Sequence, residues 1–256
     1  MRCKKFNSAF CYLAIAASSA VCMNAHANQW DFKVEPYLMA TSIDGDSAIG
    51  TLEAPLTVDF GTILDNLDSA FMVRFEAFHD SNWGVIADWG YMDLKKSLDV
   101  PRDGVLSARV RQGVLEVSLA YKHHSKSVGN WVNYVGLRRW DNTYQFDVDT
   151  AMFAQTRVVD RDEDWVDIIL GFSYNREFAE KWHFNTAADI GGFGLSAKMT
   201  SSLKLGVVYD LTENWDMSFQ YKATYVDYDT GDRGSSNYFS YDSITHGPLM
   251  SASYKF

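Results

Sequence analysis

Ser243 and His246 are of the residue types that form a nucleophile and its base. They lie three apart, and in an extended strand, where successive side chains alternate faces, that spacing sends them to opposite sides. His79, His123, His124 and His183 stand beside polar turns, and none has an evident nucleophile partner. The run Asp160-Arg161-Asp162-Glu163-Asp164 offers carboxylates of the kind that hold divalent cations, but its spacing matches no calcium-loop pattern and reads as a solvated acidic loop. Cys3, Cys11 and Cys22 all fall within the first 27 residues, so the chain beyond them has no thiolate nucleophile, no disulfide and no cysteine-ligated metal. The remaining candidates are charges: Lys33, Glu35, Arg74, Glu76, Asp88, Arg109, Glu116, Arg138, Asp167, Asp189, Lys204 and Lys222. If they share one face, they could line a polar conduit or pair with one another. Six bases against six acids favour pairing, because buried charge has to be compensated.

The elements that would put these charges on one face are strands. From Trp215 to Tyr228, Trp215, Met217, Phe219, Tyr221, Ala223 and Tyr225 alternate with Asp216, Ser218, Gln220, Lys222 and Thr224. Period-two alternation separates an apolar face from a polar one. Segments around 166–174, 182–190 and 203–211 alternate in the same way. Trp30, Trp83, Trp131, Trp182 and Trp215 each follow a short polar turn and each open a strand. Indole favours a membrane–water interface, so these five, with Phe256, read as an aromatic girdle on one side of a bilayer. Five outgoing strands need five returning ones. The expected fold is therefore all-β: a transmembrane, antiparallel, up-and-down barrel of ten strands, near 30–42, 70–79, 83–95, 105–122, 131–140, 164–176, 182–192, 198–211, 215–228 and 238–256. Eight or twelve are the alternatives, because Tyr144, Phe146 and Val148 alternate inside 141–163 and could add a hairpin. The fourth strand changes parity: Leu106, Ala108 and Val110 share one face, then Leu115, Val117 and Leu119 do, so a bulge is expected near Gly113. Gly61 to Ser69, with Ile63, Leu64 and Leu67 at helical spacing, is expected as a helical turn that could fold into the barrel mouth as a plug.

Two domains of sequence are expected. Residues 1–27, with basic Arg2, Lys4 and Lys5, an apolar stretch and Ala25-His26-Ala27, read as a cleaved signal peptide, and 28–256 as the barrel. Without the three leader bases, 20 bases face 33 acids, a net charge of −13. That disfavours a nucleic-acid partner. Beyond the leader no apolar run is long enough for a membrane helix.

The closing strand carries Met250, Ala252, Tyr254 and Phe256 on one face, and a C-terminal aromatic of this kind resembles the signal read by the barrel-assembly machinery. Further motifs are Trp165-Val166-Asp167, Gly171, Asp189-Ile190-Gly191-Gly192-Phe193-Gly194, Gly206, Tyr209, Asp227-Tyr228, Gly247-Pro248 and, upstream, Asp65-Asn66-Leu67. With these the chain resembles a widespread family of small Gram-negative outer-membrane β-barrel proteins. It departs from that pattern at Ile168, where proline is expected, and at Ser173, where arginine is. The resemblance implies an outer-membrane location and a lipid environment, and carries no activity, cofactor or metal. Two function classes follow: a structural barrel or narrow passive channel for small solutes, which is the expectation, and as alternative a barrel enzyme acting on lipid or peptide at the cell surface. A rim cluster of His, Ser and acids would favour the second, and the sequence does not present one.

Overall fold

The computed structural model describes residues 29–100, 104–125, 129–150 and 153–256, so the expected leader lies outside the described residues. The strands are β1 Trp30–Met39, β2 Ser42–Ile49, β3 Leu52–Val58, β4 Leu67–His79, β5 Trp83–Val100, β6 Gly104–Ser125, β7 Gly129–Thr150, β8 Phe153–Ala179, β9 Trp182–Gly191, β10 Met199–Asp210, β11 Trp215–Thr230 and β12 Phe239–Lys255, with one helix, α1, over Phe60–Asn66. Ten of the strands close a ring. β1 pairs with β4, β4 to β12 pair in sequence, and β12 returns to β1, antiparallel throughout.

The hairpin β2–β3 stands above β1. After Met39, β2 takes over from β1 as the partner of β12. At the handover the backbones touch: a Cβ on Gly247 would lie 1.9 Å from the Ala40 carbonyl oxygen, so this position has to be glycine. The expected loop 43–69 is thus a hairpin and a helix. The described residues of 96–104 and 141–163 are not loops either. They lengthen β5 to β8, to 27 residues in β8, where about ten cross a bilayer. The alternating run at 144–148 extends an existing strand and adds no new hairpin to the ring.

Outside, the wall is apolar. Val85, Trp89, Leu115, Val117, Leu119, Leu137, Leu170, Phe172, Leu203, Leu205, Met217 and Phe219 are all at least 40% exposed, as lipid-facing residues must be. At one end of this band each strand-opening tryptophan sits directly across the ladder from another aromatic ring: Trp30 from His79, Trp83 from Tyr121, Trp131 from His123, Trp182 from Tyr209, Trp215 from Tyr254. These pairs have ring centroids 4.8–5.1 Å apart, and Phe256 meets Tyr254 edge-on.

Three expectations differ from the observed fold. There is no bulge at Gly113, since β5–β6 and β6–β7 keep register through it. And Arg109 faces outward. It lies opposite Lys95, on the same face as Trp89 and Tyr91, and its guanidinium holds Asp93. The apolar face changes sides along β6 because the strand leaves the bilayer. Beyond Gly113 the outer face meets water and takes Arg109 and Arg111, while the inner face carries Val110 and Val114 into an apolar core. α1 differs from the expected plug as well. Phe60 and Leu64 are exposed, and Ile63 alone is buried, against Ile43 and Met92. A helix inside the bore would be covered all round, so α1 patches the wall between β3 and β5.

Candidate lumen site

The inward positions of the strands form four storeys, starting from the end with the tryptophans and the short turns. The lowest is a basin of about 500 Å³. Lys33, Lys122, His183, Lys204, Asp210 and Lys255 are among its lining residues, a mixture of both signs. Lys33 reaches Glu35 at 3.2 Å, Lys255 reaches Asp216 at 3.1 Å, and His183 bonds Asp210 at 2.8 Å.

Above the basin the bore is crossed by charged side chains. Arg138 is fully buried. Its Nε donates to Glu116 at 2.8 Å, one terminal nitrogen donates to both oxygens of Asp189 at 2.9 and 3.0 Å, and the other to Thr200 at 2.9 Å. Arg74 stands between Glu76 at 2.8 Å and Asp88 at 3.6 Å, and Asp88 also accepts from the Tyr37 hydroxyl at 2.7 Å. Asp167 is inward and buried but is held by neutral donors, the Trp165 indole N–H at 3.0 Å and the Ala197 amide at 2.9 Å. Lys204 and Lys222 are inward and face each other across the β10–β11 ladder, and no carboxylate among the described residues lies within ion-pair distance of either. The structure therefore brings together Arg74, Glu76, Asp88, Glu116, Arg138 and Asp189, keeps Asp167, Lys204 and Lys222 in the lumen without ion pairs, and leaves Arg109 outside it.

The third storey is a small cavity of about 90 Å³ with mostly apolar walls, bordered by Asp88, Glu116 and Lys222. The fourth is a stopper. Trp140 stacks on Trp165, and Trp165 on Tyr228 with centroids 3.9 Å apart and planes 3° from parallel. Tyr144, Phe239, Tyr241 and Val226 complete it, and Ala197, from the turn after β9, is drawn in by Asp167. Apart from Tyr144 and Ala197, the residues of this core lie within the expected strands, but alternation along a strand does not tell which side chains meet across the bore. Of the three tryptophans outside the girdle role, Trp89 faces outward, and Trp140 and Trp165 are the available signal.

Closure into a ring, an exposed apolar band and a charged, filled interior leave one environment for this chain. It is an outer-membrane β-barrel. No family model matches the sequence, and no curated protein matches it. Solved structures do. The outer-membrane protease OmpT from Escherichia coli is similar at TM-score 0.51 with 7% identity, over 90% of this chain and 98% of that one. The translocator domain of the autotransporter NalP from Neisseria meningitidis aligns over 97% of this chain and 96% of its own, with 11% identity and TM-score 0.49. At such identities the likeness concerns the fold.

The remaining chemical candidates fall on this outer-membrane barrel as follows. Ser243 and His246 do point to opposite faces: Ser243 is buried in the lumen, and His246 faces outward beside Tyr221. His246 has partners the sequence did not reveal. Its Nε2 lies 2.8 Å from Asp44 and its Nδ1 2.6 Å from the Tyr221 hydroxyl. Asp44 is not legible as a partner because β2 carries little apolar alternation. The acidic run 160–164 is part of β8, not a loop, so its carboxylates alternate between faces: Glu163 pairs with Arg161, and Asp164 lies 3.6 Å from Arg139. Among the described residues no group of His, Cys, Asp and Glu is gathered as for a metal ion.

Proposed function

We propose that this barrel is a structural, non-catalytic element of the outer membrane, with at most a slow passage for compact solutes. One observation carries the reading: the bore is crossed by the Arg138 layer and then closed by the Trp140–Trp165–Tyr228 stack. Ten strands enclose far less space than the 16 to 18 of water-filled porins, and long charged side chains that reach across and pair leave no continuous path. The aromatic closing strand is what the barrel-assembly machinery would engage during insertion. Planar-bilayer recording of the refolded protein tests the reading. Absent or brief, small events are expected, and stable, large, ohmic steps from the wild type would refute it.

The hydrogen-bonded row Asp44–His246–Tyr221 favours a second reading, hydrolysis at the outer rim by a histidine oriented by a carboxylate. Vesicle-embedded protein incubated with phospholipid or with a denatured peptide should then yield product that His246→Ala abolishes. No product from the wild type removes this reading.

A further inference from the structure

The wall has an interruption within its apolar band. The β1–β4 ladder runs from Trp30 opposite His79 to Pro36 opposite Val73 and stops. Both strands continue: β1 pairs with β12 as far as Met39, and β4 pairs with β5 up to Leu67. Proline, which brings no N–H, stands at the last rung. Pro36 is six residues beyond Trp30. That is about 20 Å along a strand and roughly 15 Å above the tryptophan girdle at a tilt near 40°, in a band about 25 Å tall. The break therefore lies in the outer half of the hydrocarbon. Its lips agree with that depth: Leu38 is 77% exposed on one, and on the other Phe71 packs edge-on against outward Trp89. Unpaired backbone is costly in hydrocarbon, so the gap is not neutral.

Behind the break lies the 90 Å³ cavity, with Tyr37 and Met39 from the β1 lip, Met72 from the β4 lip, and Met92, Val114 and Trp140 as further apolar lining, while Asp88, Glu116 and Lys222 of the charged layer also border it. Methionine adapts its shape to irregular apolar guests. Gly90 faces the same space, directly across the ladder from Met72. A Cβ there would meet nothing nearer than Met72 Cγ at 3.9 Å and the Tyr37 hydroxyl at 4.0 Å. The inward strand glycines Gly84, Gly136, Gly171 and Gly206 each have a neighbour within 2.4 Å of that position, so packing dictates them. Packing does not dictate Gly90; its missing side chain leaves room. α1 roofs the opening, with Ile63 turned in and Phe60 and Leu64 turned out.

We propose that this break is a lateral port that seats a hydrocarbon chain of an outer-leaflet lipid among Met39, Met72 and Met92. The occupant is a membrane chain, because the lips open on hydrocarbon, the Arg74 and Arg138 layer separates the cavity from the polar basin, and the aromatic stopper closes it above. An apolar cavity of roughly 150 Å³ takes a benzene ring, so this one takes a short stretch of chain while the rest stays in the bilayer.

The test is photo-crosslinking of the whole refolded barrel in phosphatidylcholine vesicles containing a trace of phosphatidylcholine with a diazirine on one acyl chain, followed by peptide mapping. Adducts on Met39, Met72 or Met92 are expected beside those on outward Leu38 and Phe71. Gly90→Leu, which fills the cavity, should remove the inward adducts and keep the outward ones. Gly113→Leu, on the outward face, should keep both, and heat-modifiable gel migration verifies folding of each variant. Met72→Trp fills the cavity from the other lip should Gly90→Leu fail to fold. Adducts confined to outward residues in the wild type overturn the proposal, as do inward adducts undiminished when the cavity is filled.

Discussion

Arg138 and Arg109 were indistinguishable as members of one expected inward set, and they are opposites. Arg138 is buried with Glu116 and Asp189 on its guanidinium, whereas Arg109 holds Asp93 on the outer surface. Removing one partner of a buried pair leaves an uncompensated charge and costs about 3–5 kcal/mol, while exposed pairs contribute about 0–1 kcal/mol. Arg138→Ala should therefore lower sharply the temperature at which the barrel loses its heat-modifiable gel migration, and Arg109→Ala, whose guanidinium is partly exposed although it covers the buried Asp93, should lower it less. Equal shifts would contradict the assignment of faces. The error over Arg109 has a physical source. Alternation tells which residues share a face but not what that face touches, and at Gly113 the surroundings change from lipid to water while the register does not.

The five tryptophans located their strands because a girdle residue has a fixed depth, and Trp30, Trp83, Trp182 and Trp215 are the first residues of theirs, with Trp131 two in. Strand ends beyond the bilayer have no such marker, and β2, with Asp44, Gly45 and Asp46 at its centre, has little apolar alternation to read. α1 was legible as a helix from Ile63, Leu64 and Leu67 but not in its placement, which depends on the gap left between β3 and β5. Its N-cap makes it pH-sensitive. Asp59 accepts from the Thr62 amide at 3.0 Å and the Thr62 hydroxyl at 2.9 Å, and these bonds hold its carboxyl below the usual carboxylate range. A group with a lowered folded pKa stabilises fully above its unfolded value, near 3.9, and loses that contribution as the pH falls through the folded value. Limited proteolysis with an acid-active protease should find 59–67 protected at pH 5 and increasingly cut below about pH 4. Asp59→Ala should be cut more readily at pH 5, with a flatter pH profile. A profile identical to the wild type would mean that the cap does not hold the helix.

At the scale of the molecule, ring closure, strand number and polarity of the interior were all readable, whereas the state of the bore was not, because it depends on which side chains meet across the lumen. Trp140 and Trp165 are direct partners across the β7–β8 ladder, but Tyr228 comes from β11, and only closure brings it onto Trp165. If this stack is what blocks the bore, Trp140→Ala with Trp165→Ala should raise bilayer conductance above the wild type, and adding Arg138→Ala should raise it further. Silence from the triple variant, with its barrel intact on gels, would locate the blockage elsewhere.

The ladders that join β1 to its two neighbours are the shortest in the ring, ending at Pro36 on one side and Met39 on the other, while β6, β7 and β8 are laced over most of their great length. A cylinder stitched this unevenly has a mechanical seam. Drawn out of a supported bilayer by a tip attached near residue 29, it should give way first by peeling β1 from both sides at low force. The β6–β8 sheet should yield last and in the largest step, because each strand there must break rungs along both edges at once.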